Sequence, residues 1–409
     1  MENFRFKGNK LLWNNYSLDI IAKKNKTPFY LYSYNQLKKN VGYFKKTFNK
    51  TNPLICFSLK SNSNQKIIKE YAELGIGADV VSIGELKLAL KSNIKPNKIV
   101  FSGVGKTIEE LRYAISKKIF LINCESFSEV KLINSLSKKM KLKTKIGLRL
   151  NPNINAKTHS KISTGNEKDK FGLSKLEFKK VIINFKKSDF IEISALSVHI
   201  GSQIKEVFPF NNCINFLNKT IADLKKINIK IKYVDLGGGM GIPYNFEETK
   251  FPLKKYANYV YNFKKKNNVK IIFEPGRFLS GNIGIIISKI IYIKEGAKKN
   301  FIVTDAAMND LIRTALYDAN HTILPINHRK EIKSKIEFVG PICESSDKFG
   351  EYKKFSKLEE SDYICITNTG AYGRSLSSNY NMRPLIAELL IKNNKILILR
   401  KRQNINQIS

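Results

Sequence analysis

From residue 54 to residue 276, short apolar runs recur along the chain. Each is bounded by turn residues and followed by a stretch whose apolar positions repeat at helical spacing. The runs are Leu54 to Leu59, Ala78 to Val81, Lys98 to Phe101, Ile119 to Asn123, Lys145 to Leu150, Ala195 to His199, Lys232 to Leu236 and Lys270 to Phe273. Seven of these eight lead into amphipathic segments such as Gln65 to Leu74, Ile83 to Lys91, Ile108 to Lys117, Ser128 to Lys138 and Asn212 to Lys226. Eight strand-helix repeats predict a parallel (β/α)8 barrel. The eighth run leaves space only for a short helix after Pro275.

Near Ile285 the rhythm changes. Runs rich in β-branched and aromatic residues follow at Ile285 to Ile293, Asn300 to Thr304, Lys335 to Val339, Asp362 to Thr367 and Lys395 to Arg400. They predict a mainly antiparallel β domain after the barrel. The first 27 residues fit neither the barrel count nor a targeting signal and are assigned as added strands of that domain. The expected division is therefore a barrel over 28–280 and a β domain made of 1–27 and 281–409, an α/β plus β architecture. No internal repeat or low-complexity linker interrupts it.

Composition narrows the functional classes. The chain has 409 residues, 42% hydrophobic and 26% charged, which excludes a wholly disordered, collagen-like or coiled-coil protein. The longest apolar stretch, Ile283 to Ile293, is broken by Ser288 and Lys289 and is too short to span a bilayer. The start of the chain lacks the apolar core of a secretory signal, so a cytoplasmic location is expected. Cys56, Cys124, Cys213, Cys343 and Cys365 are odd in number and scattered, which predicts free thiols and no zinc site. The net charge of +38 raises the question of nucleic acid. Lysine is spread through the whole chain, however, with no zinc-finger spacing, RNP-like string or basic region joined to heptads, so a nucleic-acid binder remains only a remote alternative.

In a barrel the informative residues are those where strands end. These are Lys60 and Asn62 after the first run, Asp79 and Ser82 with the second, His199 and Gly201-Ser202-Gln203 after the sixth, Gly237-Gly238-Gly239-Met240-Gly241 after the seventh, and Glu274-Pro275-Gly276-Arg277 after the eighth. Taken singly each has an ordinary reading: a solvated lysine, a rim histidine, a glycine turn, a surface ion pair. Together they converge on one mouth. Side-chain-free N–H groups in the glycine run can cradle a phosphate, and the loops after strands seven and eight are where barrels commonly bind one. A reactive lysine facing a phosphate site points to a Schiff base with pyridoxal phosphate.

These segments, with Cys56-Phe57-Ser58-Leu59-Lys60-Ser61-Asn62 and Gly77-Ala78-Asp79-Val80-Val81-Ser82-Ile83-Gly84-Glu85, resemble the alanine-racemase-like barrel decarboxylases that use pyridoxal phosphate. Three more are similar to the diaminopimelate decarboxylases within that group. They are Asn151-Pro152 through Thr158-His159 to Thr164-Gly165 and Lys170-Phe171-Gly172; Asp305 to Arg313 with Ala315-Leu316-Tyr317; and Gly340 to Asp347. One departure is Ala307, where the family usually has glycine.

The resemblance implies pyridoxal 5'-phosphate held by Lys60, with Glu274 keeping the ring nitrogen protonated, His199 stacked on the ring and Asp79 orienting Lys60. Ser202, Gly238, Gly239, Gly276 and Arg277 would hold the phosphate, with Tyr372 closing over it. It also implies meso-diaminopimelate as substrate. Arg313 and Arg277 would grip the carboxylate of its non-reacting end, Glu344 the ammonium, and Tyr317 and Tyr372 would add contacts. Cys343 would return a proton to give L-lysine. The family further implies a homodimer with shared active sites. The alternative on the same fold is decarboxylation of ornithine, arginine or carboxynorspermidine.

Overall fold

The computed structural model describes residues 3–155, 164–165 and 168–408. It contains two compact units: one of Val41–Gly241 with Lys250–Phe278, the other of the chain up to Asn40 with Ile242–Thr249 and Leu279–Ser409.

The first unit is a closed barrel of eight parallel strands, Leu54–Ser58, Gly77–Val80, Ile99–Phe101, Leu121–Cys124, Thr144–Arg149, Ile191–Ser197, Tyr233–Asp235 and Lys270–Phe273. The eighth closes on the first through Ile272 opposite Leu54 and Phe273 opposite Ile55. All eight expected runs are strands of this barrel. Helices follow the first seven, and the chain marks where several begin. Asn64, Ser82, Thr107, Ser126 and Ser174 each cap a helix by accepting a backbone N–H in its first turn. Thr107 with Glu110 and Ser174 with Glu177 form complete capping boxes. After the eighth strand comes only the four-residue helix Arg277–Ser280.

Strand side chains alternate between faces, so inward residues recur every second position. The lower layer of the barrel is apolar, with Cys56, Val100, Leu121, Ala195 and Ile272 packed together. Two residues further along the same strands stand Ser58, Ser102, Asn123, Ser197 and Glu274. The interior therefore changes from hydrocarbon to polar as it approaches the C-terminal mouth. Gly147 makes room for the Asn123 side chain: a Cβ there would fall 2.3 Å from Asn123 Oδ1.

The second unit is built on a nine-stranded sheet. Its main path runs Lys348–Tyr352, Ile336–Val339, Asn300–Thr304, Gly284–Lys294, Phe29–Ser33, Ala387–Lys392 and Lys395–Arg400. Most pairs are antiparallel. Phe29–Ser33 with Ala387–Lys392, and Asn300–Thr304 with Ile336–Val339, are parallel. The N-terminal residues form their own three-stranded sheet, and Leu11, Trp13, Leu18 and Ile21 pack into one core with Phe29, Leu31, Ile285, Ile287 and Leu389. The expected boundary at residue 28 differs from this division. Phe29–Ser33 takes its hydrogen bonds from Gly284–Lys294 and Ala387–Lys392, so residues 28–40 go with the sheet. Among the described residues no helix is long and apolar enough to cross a membrane.

Candidate active site

Lys60 lies in a single turn of 3-10 helix, Leu59–Ser61, directly after the first barrel strand, and is exposed at the barrel mouth. Asp79 is the penultimate residue of the second strand. Its Oδ2 accepts from Ser58 Oγ at 2.6 Å, while Oδ1 is buried with no hydrogen-bond partner among the described residues. The glycine run adopts a conformation that only glycine permits. Gly237 and Gly239 have φ of 62° and 89°. A Cβ on Gly237 would lie 2.8 Å from His199 Nδ1, one on Gly238 2.3 Å from the Glu274 carbonyl oxygen, and one on Gly239 2.5 Å from the Gly201 carbonyl oxygen. Any side chain would fill the cradle. On its rim, Arg277 Nη2 donates to Ser202 Oγ at 3.0 Å, and a Cβ on Gly276 would meet Ser61 at 3.0 Å.

Two electrostatic features define the mouth. His199 accepts the Gly238 N–H at Nδ1 (3.3 Å), so its ring proton is on Nε2. Burial, together with the cations of Lys60 and Arg149, pushes its pKa well below the usual histidine value, which keeps the ring neutral. Glu274 accepts from Ser102 Oγ at 3.1 Å and hydrogen-bonds Asp235. Asp235 is fully buried, accepting from Gly237 N at 2.9 Å and Asn123 Nδ2 at 2.8 Å. Burial, then the charges of Asp235 and Asp79, raise Glu274 well above the ordinary carboxylate range. Asp235 is raised as well, chiefly by burial, so the two carboxylates compete for a proton and the stronger upward push is on Glu274.

The second unit holds the remaining expected residues. Arg313 and Tyr317 begin and end the short helix Arg313–Tyr317, with Arg313 buried. The segments at Ala307 and Glu344 are tied together by the Asp347 carboxylate, which accepts from Met308 N at 2.7 Å and Ile342 N at 2.8 Å. Gly340 leaves it space, since a Cβ there would be 2.3 Å from Asp347 Oδ2. Ala307 keeps its backbone N–H bonded to Asp310 at 3.0 Å, so the departure from glycine costs no hydrogen bond. Glu344 is exposed and accepts from Tyr380 Oη and, at 3.0 Å, from Ser346 Oγ. Cys343 is an exposed thiol, whereas Cys56, Cys124, Cys213 and Cys365 are buried and burial raises their pKa values. Tyr372 sits in the left-handed region at φ 57°. Thr158 and His159 lie outside the described residues.

Residues 34–281 match the family model described as pyridoxal-dependent decarboxylase, pyridoxal binding domain. Over 395 residues the chain is 41% identical to the diaminopimelate decarboxylase of Helicobacter pylori strain J99, covering 96% of this chain and 97% of that one. It is 38% identical over 403 residues to the enzyme of the same name from Aquifex aeolicus, with 98% and 96% covered. The solved diaminopimelate decarboxylase of M. jannaschii in complex with L-lysine superposes with a TM-score of 0.94 at 34% identity, covering 100% of this chain and 96% of that one. The chain belongs to the diaminopimelate decarboxylase family.

Pyridoxal 5'-phosphate is the cofactor of this family, and the residues of the barrel mouth fit it. An exposed lysine, a glycine cradle with space for backbone only, and a carboxyl whose pKa is pushed well up by burial stand on one rim. Several members of the site escaped the reading of strand ends. Asp235 stands inside the run Tyr233-Val234-Asp235-Leu236, and its only signal is a carboxylate in an otherwise apolar strand. Glu85 appears in the family-like segment without a role. It accepts from Val81 N at 2.8 Å, and burial raises its pKa to about 7 against the lowering effects of that hydrogen bond and of Lys60. Arg149 and Glu125 form a buried ion pair at 2.8 Å, and Glu125 also accepts from Gly103 N at 3.1 Å and Gly172 N at 3.0 Å.

Proposed function

We propose that this chain decarboxylates meso-2,6-diaminopimelate to L-lysine and CO2, the last step of lysine synthesis, as a cytoplasmic homodimer. The observation that carries this reading is the barrel mouth, where Lys60, the glycine cradle and Glu274 occupy the segment that matches a pyridoxal binding domain. Bound pyridoxal phosphate supplies an electron sink for the pair left behind when a carboxylate departs as CO2. Lys60 is the amine that would hold the cofactor, with Asp79 as its orienting carboxylate. Ser202, Gly238, Gly239, Gly276, Arg277 and Tyr372 would bind the phosphate. His199, held neutral, offers a flat uncharged face for stacking. Glu274 holds a proton on its carboxyl, where the ring nitrogen can share it.

meso-Diaminopimelate carries an amino acid group at both ends, so the end that does not react presents a carboxylate and an ammonium. Arg313 and Arg277 suit the carboxylate, and Glu344 suits the ammonium. Tyr317 and Tyr372 add hydroxyls. Cys343 Sγ is the proton donor to the carbon that has lost CO2, and its exposure in the single chain suits a site completed by a second copy. Five free cysteines suit a reducing compartment.

The test is to incubate the purified protein with pyridoxal phosphate and meso-diaminopimelate, then measure CO2 and L-lysine. The unmodified chain should form both, and Lys60→Ala should lose both the turnover and the visible absorbance of bound cofactor. Efficient turnover of ornithine in preference to meso-diaminopimelate would transfer the chain to the alternative substrate class. Borohydride fixation of the cofactor to another lysine would overturn the assignment of Lys60.

A further inference from the structure

Arg313 does not stand alone in its unit. One of its terminal nitrogens, Nη1, donates to Tyr244 Oη at 2.9 Å and is 2.7 Å from Nε2 of His321. The guanidinium also lies over the Tyr244 ring, 4.9 Å from its centroid, and that ring meets the His321 imidazole edge-on at 5.0 Å. On the far side of the imidazole, Nδ1 is 2.8 Å from the carbonyl oxygen of Thr367. His321 is 0% exposed, Arg313 4% and Tyr244 6%.

Donor and acceptor chemistry leaves one arrangement. A guanidinium only donates and a carbonyl only accepts. The imidazole must therefore accept at Nε2 and donate from Nδ1–H, so only the neutral Nδ1–H tautomer satisfies both neighbours. Both Nη1 protons are then committed, one to His321 and one to Tyr244. The backbone around this pair is itself fastened: Thr322 Oγ1 donates to the Tyr244 carbonyl at 2.8 Å, Asn368 Nδ2 to the Pro243 carbonyl at 3.1 Å, and Thr367 Oγ1 to the Thr322 carbonyl at 3.0 Å. A guanidinium on a flexible side chain binds a carboxylate well only if its plane is already set, because its fork is directional.

We propose that His321 is a positioning residue for substrate recognition: with Tyr244 it locks the plane of the Arg313 guanidinium so that its fork meets the carboxylate of the substrate's non-reacting end. This rests on the reading of Arg313 given above. The reacting centre is not touched, so the effect belongs to binding that is equal in the ground and transition states.

The experiment compares His321→Asn with His321→Gln in the cofactor-loaded protein. Asparagine can replace the Nδ1 donor to Thr367 but cannot reach Arg313, whereas the longer glutamine carries an acceptor to the position of Nε2. His321→Asn should raise KM for meso-diaminopimelate by about tenfold, the scale of a lost hydrogen bond to a charged group. Inhibition by L-lysine, which retains the same carboxylate, should weaken by the same factor, with kcat within about twofold. His321→Gln should recover most of that loss. Unmoved KM in His321→Asn, or equal losses in both variants, would overturn the proposal. Should either variant fail to fold, Tyr244→Phe decides, since it removes one acceptor and keeps the ring: it should raise KM and the lysine inhibition constant together, and unchanged values reject the lock. If the unmodified protein makes no L-lysine from meso-diaminopimelate, the proposed function fails instead, a separate outcome.

Discussion

Replacing Glu274 with glutamine should make the cofactor-free protein more stable while making the enzyme worse. At the barrel mouth of the cofactor-free protein the Glu274 carboxyl faces Asp235 and Asp79, with Lys60 the nearby cation pulling the other way. Burial and the two carboxylates raise its pKa well above 4.5, so the folded chain keeps a proton that the unfolded chain releases. A carboxyl raised on folding costs stability as pH climbs from its unfolded value through its folded one. Over that interval the cost grows by about 1.4 kcal/mol per pH unit. Glutamine does not titrate, and its amide can donate to Asp235 where the protonated carboxyl did. The stability gap between Glu274→Gln and the parent should therefore open from about pH 4.5 at that slope. Urea unfolding of both cofactor-free proteins at pH 5, 6 and 7 measures it. With cofactor and substrate, the neutral amide offers no charge to keep the ring nitrogen protonated, so kcat should fall by about tenfold to a hundredfold, the scale of a charged hydrogen bond. A gap that stays constant from pH 5 to pH 7 would show Glu274 ionised in the fold and refute the raised carboxyl.

Other expectations are equally direct. Gly238→Ala places a Cβ 2.3 Å from the Glu274 carbonyl oxygen, and overpacking of about 1–3 kcal/mol should weaken pyridoxal phosphate binding about tenfold or more; unchanged affinity in an absorbance titration would sink the cradle. Glu125→Leu strands the buried Arg149 and two backbone N–H groups, and should cost about 3–5 kcal/mol in urea unfolding, with a loss below about 1 kcal/mol contradicting the buried pair. If sites are shared between two copies, Lys60→Ala and Cys343→Ala refolded together should regain about a quarter of parental activity, because half the dimers are mixed and each has one intact site; a mixture showing only the average of the two variants would place the whole site in one chain.

Much of this protein is local and therefore legible in its sequence. The barrel's eight strands announce themselves as apolar runs because each is buried on both faces, and its helices because caps such as Thr107 with Glu110 satisfy their own first turns. The site follows from the same locality: Lys60, His199, the glycine run and Glu274 stand at strand ends, which a parallel barrel must bring to one mouth. What the sequence could not decide is whatever depends on distant partners. Phe29–Ser33 is as apolar as a barrel strand and precedes a helix, yet it belongs to the other unit because its hydrogen bonds go to strands near residues 285 and 389. Asp235 is an unremarkable carboxylate in the sequence, and Glu274 is marked there only by its place at a strand end. Only their meeting in a desolvated barrel makes them compete for a proton, and only folding sets the His321 ring between Arg313 and the Thr367 carbonyl. Periodicity is a property of neighbours along the chain, whereas protonation and orientation are set by whatever non-local groups exclude water and supply charge.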